Sequence, residues 1–271
     1  MDTSSPPGRP PAPRIVGVVN WRGLWTLYVK EVRRFLNVFT QTLLAPMVTT
    51  LLFLAIFALA LGGAGRQTGG VDFIRFLAPG LVMMTIMQNA FANTSSSILM
   101  AKIQGNIVDV LMPPLSAGEL ALGIAGGGLT RGLLVGLVAA IAIWIFVPLG
   151  LHDPALVVFH AMSAALLLSL LGMIGGIWAE KFEHIAGVTN FVIMPFSFLS
   201  GTFYSIERLP EGWQFVAHLN PFFYMIDGFR YGFIGHADGS LGVGVAVLLT
   251  VNVALWALTY RLIATGYRLR P

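Results

Sequence analysis

No cysteine occurs anywhere in this chain. That excludes a disulfide framework, thiolate chemistry and any Cys-ligated metal site, and leaves the compartment unread from redox chemistry. Charge is nearly as scarce. Asp, Glu, Lys and Arg make up 10% of the 271 residues, against about a quarter in ordinary soluble domains. The short motifs of enzyme chemistry are missing too: there is no H-E-x-x-H, no G-x-S-x-G and no G-x-x-x-x-G-K-[ST] phosphate loop. The glycine-rich stretch "LGGAGRQTGG" at 61–70 lacks the Lys–Ser/Thr ending and reads as a flexible loop. The five histidines (His152, His160, His184, His218 and His236) are scattered, most of them near the ends of apolar runs. No metal site, catalytic constellation or P-loop route to ATP is expected in this chain.

What remains is apolar. Hydrophobic residues make up 56% of the chain and mean hydropathy is +0.80, which marks an integral membrane protein. The basic excess (16 Lys and Arg against 12 acids) gathers at the ends of apolar spans. It is therefore a topology signal, with no patch for nucleic acid. The opening "MDTSSPPGRPPAPR" is Pro-rich and polar without an apolar core. Residues 1–20 are expected to form a disordered tail and not a cleavable signal peptide.

A spanning helix needs roughly 20 apolar residues. Six stretches qualify, at about 36–61, 76–99, 117–149, 155–179, 185–206 and 240–263, so the fold class is an all-α membrane protein. Arg9, Arg14, Arg22, Lys30, Arg33, Arg34, Lys102, Lys181, Arg261, Arg268 and Arg270 fall on one side of these spans; only Arg66, Arg75, Arg208 and Arg230 fall on the other. The bias puts both termini in the cytoplasm. Before the first span, Trp21, Leu24, Trp25, Tyr28, Val29 and Val32 recur at helical spacing, with Arg22, Lys30, Glu31, Arg33 and Arg34 on the remaining surface. Residues 21–34 are predicted to form an amphipathic helix in the membrane interface, aromatic face in lipid and basic face toward headgroups. It is either a simple anchor or an elbow that touches a cytoplasmic partner.

Polar residues inside the spans need protein or a cavity to face. In the second span, Gln88, Asn89, Asn93, Ser96 and Ser97 form a stripe. Asn89, Asn93 and Ser97 either bond between helices or line a substrate path. Arg131, deep in the third span, should face inward and find a partner the sequence does not identify. The loop 101–118 carries "NIVDVLMPP", in which Asn106 is predicted to cap a short helix that Pro113 and Pro114 stop. Ser116-x-x-Glu119 reads as the capping box of the third span.

The segments "FLAPGLVMM" (76–84), "NIVDVLMPP" (106–114), "GGGLTRGLLVG" (126–136), "SGTFYSIERLP" (200–210) and "HLNPFFYMIDGFRYGF" (218–233) together resemble the permease subunits of ABC-2 type transporters. The similarity runs over nearly everything after residue 20. It implies one transmembrane domain over 21–271 with a type V exporter-like layout, working as a homodimer in the bilayer with two separate ABC ATPase subunits. ATP and Mg would then be bound by those partners. It also implies that the 101–118 loop is a coupling helix, docking through Asn106, Ile107, Asp109, Leu111, Met112 and Pro113.

Residues 200–238 combine helix breakers (Gly201, Pro210, Gly212, Pro221) with crowded aromatics. This suits either an aromatic belt or two short helices that dip into the outer leaflet and return. In the resembled family such a re-entrant pair is an outer gate. Carried over here, that gate comprises Gly201, Phe203, Tyr204, Pro210, Trp213, Asn220 and Pro221. The expected function is the permease subunit of an exporter in the bacterial cytoplasmic (inner) membrane. An ATP-independent secondary transporter, or a non-transporting membrane partner of an ATPase, are the alternatives. Most acids lie in predicted loops, which argues against a gradient-driven carrier.

Overall fold

A computed structural model describes residues 17–61, 67, 68 and 70–269. Most of the expected tail, with Arg9 and Arg14, most of the glycine-rich loop, with Arg66, and Arg270 lie outside the described residues. Eleven α-helices run through the described part: α1 (Trp21–Leu36), α2 (Ala45–Leu61), α3 (Phe73–Ile103), α4 (Ile107–Leu111), α5 (Ala117–Phe146), α6 (Pro154–Trp178), α7 (Phe182–Val188), α8 (Met194–Leu199), α9 (Glu211–Leu219), α10 (Pro221–Ile234) and α11 (Leu241–Thr265). A two-residue hairpin, β1 (Gln67–Thr68) against β2 (Val71–Asp72), precedes α3.

Among the described residues, five helical stretches are long and apolar enough to cross a membrane: Thr40–Ala60, Ala117–Phe146, Pro154–Trp178, Phe182–Leu199 and Leu241–Thr265. The remaining expected span, 76–99, forms α3, which has ample length at 31 residues. Its polar stripe dilutes its apolarity, and it survives because the bundle covers it. Nearly all of α3 from Phe76 to Leu99 is buried, mainly against α5 and α6. Glycines permit this close packing. A Cβ on Gly132 of α5 would sit 3.0 Å from the Ile86 carbonyl oxygen.

The fifth expected span, 185–206, is corrected. Its helix ends at Leu199, and Gly201 turns the chain with φ +75°, a conformation open to glycine. The third stops at Phe146, because Val147 precedes Pro148 and takes an extended conformation. A feature not foreseen is a pair of π-helical turns, Thr40–Leu44 and Thr189–Ile193. Each ends two residues before a proline, in "TQTLLAP" and "TNFVIMP". A proline ring clashes with the carbonyl four residues back, and widening the helix there relieves the clash.

α1 forms as expected, but its faces are assigned differently. Asn20 caps it, accepting from the Gly23 N–H at 3.0 Å. Trp21 and Trp25 point outward, 72% and 65% exposed. Leu27, Glu31 and Phe35 are buried, so Glu31 belongs to the packed face and not to the headgroup face. Hydrogen bonds group the loops into two ends. One end holds Asn20, loop 104–116, the 178–181 turn and Arg268. The other holds β1, residues 147–153 and 200–240.

Candidate functional site

The 104–116 loop is anchored rather than free. Ser116 and Glu119 form the predicted capping box. Glu119 also accepts from the Asn20 backbone N–H, and the Asn20 side chain donates to Pro114 O at 3.1 Å. Loop 104–116 and α1 therefore share one surface. Asn106 stands at the start of α4 but makes no side-chain cap, donating instead to Gln104 at 3.4 Å. Ile107 and Leu111 are half-buried against the bundle. Asn106, Asp109, Met112 and Pro113 are exposed, together with Val108, which sequence reasoning omitted. Met112 is 75% exposed, an apolar side chain held outward with nothing covering it among the described residues.

The stripe on α3 bonds between helices. Arg34 donates to Asn93 O at 2.6 Å, to Asn93 Oδ1 at 3.1 Å and to Ser96 Oγ at 3.2 Å, and pairs with Glu31 at 3.2 Å. Ser97 Oγ donates to Glu31 at 2.8 Å. Arg131, left without a partner by sequence reasoning, donates to Asn89 Oδ1 at 3.2 Å. That partner is neutral, and Arg131 Nε finds none among the described residues. The sequence pattern sends Arg34 toward headgroups and sets Glu31 on the polar surface beside it; the structure turns both toward α3. The signal that could have placed them inward was their i, i+3 spacing beside the only acid of α1.

A groove of ≈360 Å³ opens between α2, α3 and the second π turn, bordered by Gln41, Thr49, Thr50, Thr85, Gln88 and Phe53 among others. None of its lining side chains is charged. Thr50 and Thr85 bond across it at 2.8 Å, and both π turns reach its rim through Gln41 and Thr189. Asn89 borders the same groove; Asn93, Ser97 and Arg131 do not. Two of the flanking elements, α2 and the α7–α8 segment, are the least covered of the bundle, exposing Val48, Leu52, Ile56, Phe191 and Phe196.

At the opposite end, the segment 200–240 does contain two short helices, α9 and α10, separated by Asn220. They differ in surroundings. α9 exposes Trp213, Phe215, Val216 and Leu219. α10 is buried from Phe222 to Arg230 against α3, α6 and α11, so Phe222, Phe223 and Tyr224 are core residues. Asn220 is buried; it caps α10 through Phe222 N and donates to Ser200 Oγ at 2.7 Å. Pro221 starts α10 and Pro210 precedes α9. Gly201 is buried. Phe203 stacks on Phe57 at 4.5 Å, and Tyr204 is half-buried.

Arg230, read from sequence as an outer flank charge, is 1% exposed. It donates to Phe76 O at 3.2 Å and Gly201 O at 2.5 Å, with its guanidinium 3.8 Å over the Phe76 ring. Asp227, one turn earlier, accepts from the Asp238 and Gly239 N–H groups. A charged pair inside the apolar "MIDGFRYGF" was the available signal for both. Among the described residues no group of three or more His, Cys, Asp or Glu is placed to hold a metal ion.

The chain matches the family described as ABC-2 type transporter over residues 22–234. It is 40% identical over 251 residues to the inner membrane transport permease YadH of Escherichia coli K12, covering 92% of this chain and 98% of that protein. It is 25% identical over 242 residues to Nodulation protein J of Neorhizobium galegae, covering 87% and 90%. With Nodulation protein J of Rhizobium leguminosarum bv. trifolii it shares 27% over 227 residues, covering 81% and 83%. The apolar bundle and these matches over most of the chain lead to one conclusion: the chain is a multi-pass membrane protein that belongs to the ABC-2 type transporter family.

Proposed function

We propose that this chain is the membrane permease subunit of an ATP-driven exporter in the bacterial inner membrane, with both termini in the cytoplasm. Two copies face each other in the bilayer, and two separate ATPase subunits bind ATP and Mg on the cytoplasmic side. The observation that carries the reading is the anchored, outward-facing α4. A short helix with exposed Val108, Asp109 and Met112, tied through Pro114 and Glu119 to the interface helix, is shaped to fill a cleft in a soluble partner and pass its movement to the bundle. The basic residues near it support the cytoplasmic placement.

The uncharged polar groove supports pairing. Gln41, Thr49, Thr50 and Gln88 open at the depth of the spans, where lipid offers no hydrogen bonds. A second copy packed on α2 and the α7–α8 segment would remove that edge from lipid and convert it into an enclosed path. Asn89 belongs to that path, whereas Asn93 and Ser97 act in helix packing. Six spans follow if α3 crosses as the covered member of the bundle. The turn 200–206 with α9 and α10 then forms the outer gate, re-entrant from the outside. Cargo moves from the cytoplasm or inner leaflet outward, and the mixed apolar and uncharged polar lining of the groove suits an amphipathic compound.

The test is purification in mild detergent from native membranes. A stoichiometric soluble subunit with a phosphate loop is expected, and Met112→Asp should strip it away while the permease remains folded. Isolation as a lone protein across several detergents would overturn the reading in favour of an ATP-independent carrier.

A further inference from the structure

Burying a guanidinium is expensive, and one with no carboxylate in direct contact more so. Asp227 and Asp238 lie near enough to attract Arg230, but among the described residues no carboxylate forms a direct ion pair with it. The neighbouring Asp227 is engaged by the N–H groups of Asp238 and Gly239. If Arg230 only filled space, a methionine would do so at lower cost. What an apolar residue cannot do is grip two carbonyls on two separate elements. One is Phe76 O, on α3; the other is Gly201 O, on the 200–206 turn.

α3 runs from loop 104–116 to this turn. Its 31 residues give a rod of about 46 Å, whose last residue, Ile103, is three residues from α4. The Arg230 contact sits at its far end, just before Pro79. There the missing N–H leaves the first turns of the helix less firmly tied to the rest. Gly80 completes the joint, since a Cβ there would lie 2.7 Å from Thr202 O. The turn is also attached to its other neighbours. Asn220 holds Ser200, and Asp238 accepts from Ile206 N at 3.0 Å. The 200–206 turn and α10 thus form one body, and Arg230 fastens that body to α3.

We infer that Arg230 is a positioning residue through which displacement of α3, driven at loop 104–116, reaches the outer turn 200–206. This rests on the permease reading above and adds to it the mechanical link. Asp227 and Asp238 hold the turn in the geometry that Arg230 grips.

The experiment uses the complex with its co-purifying ATPase in lipid nanodiscs. A sole thiol in this chain, at Tyr204→Cys or at Ile103→Cys, reports each end of α3 by its rate of reaction with maleimide. In the parent, both rates should differ at least about fivefold between nucleotide-free and ATP–vanadate-trapped states. With Arg230→Met the Tyr204→Cys difference should vanish, while ATP hydrolysis and the Ile103→Cys response persist. Arg230→Lys, which keeps the charge but not the two-carbonyl fork, should show the same loss and covers the case in which Arg230→Met does not assemble. A nucleotide-dependent Tyr204→Cys rate retained in either variant overturns the inference. So does a parent in which only Ile103→Cys responds, which leaves the permease reading standing. If neither position responds and no ATPase is bound, the permease reading falls and the inference with it.

Discussion

Glu31 is 1% exposed, on the packed face of α1. Its two oxygens are spent on Arg34 and Ser97, so the carboxylate is the anion that lets Arg34 reach into α3. Removing one partner of a buried ionic contact strands the other. Arg34 is one-third exposed and keeps Asn93 and Ser96, so Glu31→Leu should cost about 2 kcal/mol, less than a fully buried pair, measured by denaturant titration of the purified chain in mixed micelles. Ser97→Ala, which deletes one neutral donor, should cost about 1 kcal/mol or less. Equal costs for the two would show that Glu31 is not the centre of the network. Arg131 makes the contrasting case. Its bond to Asn89 joins a cation to a neutral amide, so Asn89→Leu and Arg131→Met should be strongly non-additive. The double variant should be less damaged than the sum of the singles.

The two π turns belong to the scale of elements. Each precedes a proline by the same spacing, and both border the polar groove. A π turn carries one residue more per turn than the flanking α-helix and rotates the side chains on either side relative to one another. Pro46→Ala and Pro195→Ala restore the missing N–H donors and should let these turns relax into regular α-helix. Amide hydrogen exchange read by mass spectrometry should then slow across 40–46 and 189–195. Unchanged exchange would mean that packing, and not proline, maintains the π geometry. Gln41 and Thr189 would rotate with that relaxation, so the shape of the groove is coupled to local helix winding.

The whole molecule presents an asymmetric face: α2 and the α7–α8 segment, uncovered on either side of a polar groove. A cysteine placed at Val48, 57% exposed there, would be the only thiol in the chain. Oxidation in membranes should give a chain-to-chain disulfide at Val48→Cys but not at Leu137→Cys, which is 57% exposed on α5. Equal cross-linking at both would exclude that face as the specific interface. The same thiol-free background tests orientation. In intact cells a membrane-impermeant maleimide should label Glu211→Cys, at the start of α9, and spare Met112→Cys. Labelling of Met112→Cys alone would invert the topology.

Composition alone determined the membrane class, because the balance of apolar and charged residues sets which solvent a chain can tolerate. Local chemistry determined the Ser116–Glu119 capping box, the short helix before Pro113 and the breaks at Gly201 and Pro210, since each depends on residues within a turn or two. Only the tertiary structure decided which face of α1 is packed, what Arg131 touches, and that α10 is a core helix while α9 is exposed. Those outcomes rest on partners 40 to more than 150 residues away in sequence, and no periodicity carries that information. Arg230 shows the difference most clearly. As a sequence letter it is a cation between apolar spans; its meaning comes from two carbonyls that the chain brings together only when α3, the 200–206 turn and α10 have packed.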